Sequence, residues 1–367
     1  MTASTASGTA ASARRLRGEF HTLTVAEVSP LCDDAVAITF DVPGPLADRY
    51  AFRAGQSLTL RRVIDGREER RSYSICAPEG ALPRVGVREV PGGLFSRWLV
   101  RDVRPGDEIP VGTPAGSFTP GPETGGHHVL IAAGSGITPI LSIAATVLRD
   151  PAATAAVFYG NRHAGTVMFA DDLADLKDRY PARLELVHVL SREPREAELL
   201  SGRLDAAKLT ELLPRLIEVA AADHWWLCGP FEMVAQASDL LRGQGVAAAR
   251  IHRELFYVED VPPPPARHAE APVTGAVSEA TITLDGRSST VALPRDTTVL
   301  EGAQRVRPDL PFACKGGVCG TCRAKVTSGE VHMRRNFALE EAEVADGFVL
   351  TCQSLPVSES LTVDYDA

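Results

Sequence analysis

The sequence predicts a multidomain protein of mixed α/β and α+β class: an N-terminal β-barrel, a parallel α/β unit and a smaller C-terminal unit. Three observations predict it. The chain has 367 residues, too many for one small domain at about 150 residues each. Its hydrophobic and charged shares, 44% and 23%, are those of a globular protein that buries real cores. The spacing of apolar residues changes character twice along the chain, with a proline-rich break before the last stretch. The balance of 38 basic against 47 acidic residues gives a net charge of −9, which argues against nucleic acid as a partner, since that needs a basic face.

Residues 1–19 are rich in Ala, Ser and Thr without an apolar core, with Arg14, Arg15 and Arg17 near their end, and read as a disordered tail and not an export signal. Residues 20–126 run in short β-branched segments between Gly, Pro and Asp turns: Leu23 to Val28, Ala35 to Val42, Ser57 to Ile64, Ser72 to Ala77 and Arg84 to Val90. Hairpins of this kind close into a barrel. Over residues 127–258 strands and helices alternate. Val129 to Ala133, Ala155 to Tyr159, Leu184 to Leu190 and His224 to Cys228 read as strands; Thr138 to Leu148, Ala170 to Arg179, Ala206 to Leu213 and Phe231 to Arg242 read as helices. That alternation implies a parallel sheet with helices on its faces. The uncharged stretch His128 to Leu148 is cut by Gly134, Gly136 and Pro139, so it reads as strand, turn and helix, and no membrane span is expected. Residues 259–278 hold Pro262, Pro263, Pro264, Pro265 and Pro272 and form a linker. The unit 279–367 opens with strands at Ala280 to Leu284 and Thr290 to Leu293, followed by a helix around Val299 to Val306.

Chemistry is most legible in that last unit. Cys314, Cys319 and Cys322 follow the spacing C-x4-C-x2-C, and Cys352 comes thirty residues later. This is the plant-type [2Fe-2S] spacing, in which four thiolates hold two irons. Gly316, Gly317, Gly320 and Thr321 are small enough for the backbone to wrap the cluster and aim N–H groups at its sulfurs. A structural zinc site would want paired C-x2-C knuckles or nearby histidines, and only one C-x2-C is present. With no export signal and no membrane span read in the sequence, a cytoplasmic protein is expected, and in that reducing compartment three cysteines within nine residues mean metal or redox work and not a disulfide framework.

Three further segments suggest phosphate and ring binding. In Arg71-Ser72-Tyr73-Ser74, strand alternation puts Arg71 and Tyr73 on one face, a cation beside an aromatic plane. In Arg88 through Trp98, the Gly92-Gly93 pair with Ser96 precedes a helix start, whose N–H groups can hold a pyrophosphate. In Ala132 through Pro139, an apolar strand passes through Gly134 and Gly136 into a helix with Thr138 and Pro139 in its first turn, a second phosphate-facing start.

Taken in order with Cys228-Gly229-Pro230 and the cysteine loop, these segments resemble the ferredoxin-NADP reductase family with a fused plant-type ferredoxin, over nearly the whole chain. Within it, Phe312 through Cys322 and Val349 through Ser354 are most similar to the reductase components that serve phenylacetate breakdown. The resemblance implies an FAD-binding barrel, an NAD(P)-binding α/β domain and a β-grasp ferredoxin domain. It implies Arg71 on the flavin pyrophosphate, Tyr73 against the flavin ring, Ser74 near its N5, and Arg88, Gly92, Gly93 and Ser96 around the phosphates. Gly134, Gly136, Thr138, Cys228, Gly229 and Pro230 would seat the nicotinamide nucleotide, with Cys228 and Glu254 at the reacting ring and Phe256 packing near the flavin. Arg162, Ser191 and Arg192 follow strand ends, where arginines accommodate a 2′-phosphate, so NADPH is expected, NADH being the alternative that Glu193 would favour.

A di-iron oxygenase needs two Glu-x-x-His motifs on helices; Glu185 and His188 match once, in a segment that reads as a strand. Oxygen activation is therefore expected on a partner, an oxygenase component of di-iron type. Thirteen acidic against nine basic residues from Glu279 onward leave an acidic surface that could steer docking. Three readings stay open: the reductase of a phenylacetyl-CoA oxygenase, the reductase of a ring- or steroid-hydroxylating oxygenase, and a non-enzymatic iron-sulfur sensor or carrier.

Overall fold

The computed structural model describes residues 19–64, 66–122, 124–256, 276–339 and 341–367. The expected tail up to residue 18 and linker residues 259–275 lie outside them. The first unit contains β1 (Phe20–Cys32), β2 (Ala35–Asp41), α1 (Ala47–Tyr50), β3 (Ser57–Ile64), β4 (Arg67–Ser74), β5 (Arg84–Arg88), α2 (Leu94–Arg101) and β6 (Glu108–Gly112). Its strands form an antiparallel six-stranded sheet in the order β4-β3-β6-β1-β2-β5. Ile75, just past β4, bridges Val85 on β5 and so joins the two ends of the sheet into a barrel. The strand expected at Ser72 to Ala77 therefore lies earlier, at Arg67–Ser74, and its last residues serve closure. Alternate residues such as Leu23, Val25, Leu58, Leu60, Ile109 and Val111 fill the interior, and Phe95 and Leu99 of α2 join the same core.

The second unit contains β7 (Gly126–Ala133), α3 (Ile137–Val147), β8 (Ala153–Asn161), α4 (Ala170–Arg179), β9 (Leu184–Leu190), α5 (Ala206–Leu216), β10 (His224–Gly229), α6 (Phe231–Gly243) and β11 (Ile251–Leu255). The sheet is wholly parallel, in the order β11-β10-β7-β8-β9. The chain winds outward from β7 through β8 to β9, then returns to the other side of β7 for β10. That reversal opens a crevice at the carboxyl ends of β7 and β10, where open α/β sheets bind ligands. Trp225 and Trp226 are buried and pack the two faces of the sheet, as their position beside Cys228 suggests.

The third unit contains β12 (Val277–Leu284), β13 (Arg287–Pro294), α7 (Val299–Ala303), β14 (Arg323–Ser328), β15 (Val331–Met333), α8 (Glu341–Ala345), β16 (Phe348–Leu350), β17 (Ser354–Pro356) and β18 (Ser360–Asp364). Its main sheet runs β13-β12-β18-β14-β16, with β12 and β18 parallel. Val299, Leu300 and Ala303 of α7 pack into the core formed with Ile282, Leu293 and Leu350. Two expectations shift here. β12 begins at Val277, inside the expected linker, because Ser278 is buried and its hydroxyl donates to the Ser358 carbonyl at 2.5 Å. The expected helix over Val299 to Val306 stops at Ala303, and Arg307 beyond it pairs with Asp309 at 2.8 Å.

The barrel and the parallel sheet share a core, in which Ala35, Ala37 and Cys76 lie with Ile137, Ile140 and Phe169. Contact is tight at Gly86 of β5, where an added Cβ would stand 2.6 Å from Thr138 Cγ2 and 2.7 Å from the Phe169 ring. Gly86→Val should therefore cost about 1–3 kcal/mol by overpacking. A denaturant melt checks this; an unchanged midpoint would show that the two units yield freely at this contact.

Candidate functional site

The crevice at β7 and β10 is built by small residues. Gly134 has a φ of 56°, a left-handed conformation that favours glycine, and Tyr159 donates its hydroxyl to the Gly134 carbonyl at 2.9 Å. A Cβ on Gly136 would collide with the Cys228 carbonyl, so only glycine lets the start of α3 approach the end of β10 this closely. Thr138 does not face the crevice. It is 1% exposed, its hydroxyl donates to the Ser135 carbonyl at 3.0 Å, and its methyl lies against Gly86. Gly229 and Pro230 lead directly into α6, with Pro230 at its N-cap.

At this crevice the end of β4 meets the ends of β10 and β11. Ser74 donates to Glu254 Oε2 at 3.1 Å, and Glu254 lies in register with Cys228 on the neighbouring strand. Burial raises the Glu254 carboxyl from its ordinary 4.5 to about 8, opposed by the Ser74 hydrogen bond. Burial, with Glu254 adding to it, also pushes the Cys228 thiol up, so Cys228 is a neutral apolar wall. Tyr73 is kept neutral by burial and lies 6.4 Å from the Phe95 ring. Phe256 packs against the shared core next to this site. The geometry can hold a flat ring against Tyr73 with a hydroxyl and a protonated carboxyl at its edge.

The turn before α2 differs in detail from expectation. The Gly93 N–H is already donated to the Val90 carbonyl at 2.8 Å, and the Ser96 hydroxyl accepts from Val90 N at 3.0 Å. These bonds shape the turn. The first bond within the helix is Arg97 N–H to the Gly93 carbonyl at 3.1 Å, which leaves the amides just before Arg97 pointing out of the helix start. Arg71 is half-exposed and pairs with Glu69 at 2.9 Å. Arg88 donates to Asp34 at 3.1 Å and to the Thr166 carbonyl. Asp34 also reaches Arg162 at 3.5 Å, a link that sequence reading misses because no motif marks it. Ser191 N–H donates to the Asn161 carbonyl and Arg192 N–H to the Arg162 carbonyl, at 2.8 and 2.7 Å, so Arg162, Ser191 and Arg192 share one edge. Glu193 is turned onto the Ala164 N–H at 2.7 Å.

The four loop cysteines fall into two pairs. Cys319 is the neighbour that acts most strongly on the Cys314 thiol, and Cys352 the one that acts most strongly on the Cys322 thiol. Among the described residues no three His, Cys, Asp or Glu side chains gather around a single ion. Two pairs suit two irons and not one tetrahedral zinc. Cys314 Sγ accepts from Gly316 N at 3.3 Å and Cys319 N at 3.4 Å; the Cys319 thiol and these amides favour the thiolate at Cys314 and bring it below the ordinary thiol range. Lys315 takes a left-handed φ of 51°, and Gln353 Nε2 holds its carbonyl at 2.9 Å. The donor set and its amide cradle fit a [2Fe-2S] cluster.

Family models match an oxidoreductase FAD-binding domain at residues 22–119, an oxidoreductase NAD-binding domain at 130–239 and a 2Fe-2S iron-sulfur cluster binding domain at 282–357. The chain is 43% identical to a component of the 1,2-phenylacetyl-CoA epoxidase of Escherichia coli (strain K12), over 95% of this chain and 98% of the relative. It belongs to the FAD-, NAD- and 2Fe-2S-binding oxygenase reductases. This reductase is also 34% identical to the ferredoxin reductase component of 3-ketosteroid-9-alpha-monooxygenase of Mycolicibacterium smegmatis, over 94% of this chain and 96% of the other. It shares its fold with phthalate dioxygenase reductase, with a TM-score of 0.58 at 23% identity, covering 94% of this chain and 98% of that one. The reductase is an oxidoreductase that draws electrons from NAD(P)H, passes them through FAD and releases them singly from a [2Fe-2S] cluster. Among the described residues no helix is long and apolar enough to cross a membrane.

The raised Glu254 carboxyl has a definite pH consequence. Between 4.5 and about 8 the folded chain holds a proton that the unfolded chain has lost, so stability falls as pH rises through that window and is level above it. Glu254→Gln should remove this slope and flatten the NAD(P)H-to-ferricyanide rate profile around pH 8. Identical wild-type and variant profiles in both measurements would show that Glu254 does not titrate there.

Proposed function

We propose that the reductase feeds a phenylacetyl-CoA oxygenase of di-iron type, working in the cytoplasm where its cluster thiols stay reduced. The observation that carries the relay is the Ser74–Glu254 hydrogen bond, which joins the barrel to the crevice at the point where a flavin ring and a nicotinamide would meet. The choice of oxygenase rests on the 43% identity to the Escherichia coli epoxidase component. Glu185 and His188 lie on strand β9, so this chain offers no helical di-iron motif there and oxygen chemistry falls to the partner.

In this reading Tyr73 forms the stacking surface, Ser74 donates at the ring edge and Glu254 holds a proton beside it. Cys228 and Phe256 keep water from the reacting faces. Arg71, Arg88 and the outward amides of the Gly92 to Ser96 turn take the flavin phosphates, with Gly93 and Ser96 shaping that turn. Gly134, Gly136, Gly229 and Pro230 give the nicotinamide nucleotide close backbone approach, and Thr138 locks the loop from behind. Arg162, Ser191 and Arg192 take a 2′-phosphate, which favours NADPH over NADH. Cys314 and Cys319 hold one iron, Cys322 and Cys352 the other.

Three measurements test this. The purified protein should carry about two irons and one flavin per chain, and anaerobic NADPH should bleach both chromophores. A preparation that binds nucleotide without bleaching would mark a sensor. Arg162→Ala should raise KM for NADPH about tenfold while leaving KM for NADH within about twofold, since only the former has the 2′-phosphate. Equal effects on both would place the phosphate elsewhere. Product formation should appear with a purified phenylacetyl-CoA oxygenase, and turnover solely with a ring- or steroid-hydroxylating oxygenase would overturn the assignment.

A further inference from the structure

Among the described residues, contacts between the ferredoxin unit and the rest of the molecule include two footholds. One lies on the nucleotide unit, where Phe337 meets Phe231 edge-on with ring centroids 5.2 Å apart, and Val318 packs with Phe337 against that unit's core. The other lies on the barrel and is made by Arg70. Strand alternation turns this side chain away from its neighbour Arg71. Arg71 is half-exposed, whereas Arg70 is 5% exposed.

A buried guanidinium must be paired and hydrogen-bonded to be tolerated. Glu68 supplies the charge, accepting from Nε at 2.7 Å and Nη2 at 2.6 Å. The guanidinium carbon also stands 5.1 Å from the centre of the Phe20 ring on β1, and two further contacts lead toward the cluster. Nη1 points to the Leu310 carbonyl at 3.4 Å, and the guanidinium carbon stands 4.4 Å from the centre of the Phe312 ring. Lys315 Nζ lies 4.4 Å from the same ring centre. Leu310 and Phe312 are the residues that deliver the chain to Cys314, while Arg70 precedes Tyr73 and Ser74 on β4. At strand spacing, Arg70 and Ser74 are roughly 13 Å apart. One continuous strand thus links the flavin site to the segment entering the cluster loop.

We propose that Arg70 is a positioning residue for internal electron transfer: it pins the Leu310–Phe312 segment against the flavin strand and so sets how fast the cluster is reduced, touching neither reacting group. The inference rests on the flavin-to-cluster relay of this family. A stacked arginine suits the task because its planar fork can give two N–H groups to Glu68 Oε1 and still reach a carbonyl and a ring, which an ammonium cannot.

The test compares two electron acceptors on the holoenzyme under anaerobic conditions. Each NAD(P)H oxidised to NAD(P)+ releases a proton and two electrons, which reduce two ferricyanide ions at the flavin or two ferric cytochrome c molecules through the cluster. Arg70→Met should lower cytochrome c reduction about tenfold and leave ferricyanide reduction within about twofold, with iron and flavin content unchanged, because small misplacement of reacting groups is costly in rate. Phe312→Leu, made from the other side of the contact, should show the same split and serves if Arg70→Met does not fold. Unchanged rates with both acceptors, or equal loss with both, would overturn the inference. Failure of the wild type to reduce ferricyanide would instead strike the relay itself.

Discussion

The hydrogen bond from Ser74 to Glu254 crosses from the barrel to the edge of the parallel sheet, between residues 180 positions apart in the chain. It holds only if two independently patterned units meet in one registration. That registration is supplied by Gly86, whose missing side chain admits Thr138 and Phe169, and by Gly136, which lets the start of α3 slide under the Cys228 carbonyl. Larger residues at either place would separate the barrel strand from the crevice. The chemistry of the site depends on this close seating, since the raised carboxyl and the neutral thiol both arise from the burial it imposes.

A second constraint acts at the cluster loop. Four cysteines sort into two pairs because the backbone turns tightly through Lys315 and Gly317, both at positive φ, and Gln353 ties the loop to the strand end that carries Cys352. The amides of Gly316 and Cys319 then face the Cys314 sulfur. Hydrogen bonds of this kind tune both ligand basicity and potential. The loop is thus organised for a binuclear group by its backbone, before any side chain beyond the cysteines is considered.

Much of this is legible in the sequence, and the reasons for the rest are local. Cysteine spacing, glycine-rich strand-to-helix turns and the periods of two and 3.6 residues are short-range signals, and most of the elements they mark lie where expected, the strand at Arg67–Ser74 and the helix at Val299–Ala303 being shifted or shortened. The strand Leu184–Leu190 and the helix Ala170–Arg179 match residue for residue. What escapes is long-range. Nothing near Asp34 shows that it joins Arg88 to Arg162, and nothing near Thr138 shows that Gly86 waits to receive its methyl. The amide of Gly93 looks free in the sequence because a glycine pair does not reveal that Val90 accepts from it. Val277 and Ser278 read as linker because their strand character comes from pairing with Pro294 and Leu293, not from their own residue types.

The position of β18 has a consequence for how the protein is made. This strand comes after every other strand in sequence, yet lies at the centre of its sheet, paired with β12 on one side and β14 on the other. Beside it Tyr365 is buried, with its hydroxyl 2.8 Å from the Thr351 hydroxyl, next to Cys352. The barrel and the parallel sheet can condense while the ribosome is still translating, but the iron-binding unit lacks its middle until residue 364 has left the exit tunnel. Cys322 and Cys352 share their core with Leu361 and Val363 of β18, so the cluster ligands are fixed only when this late strand closes the sheet.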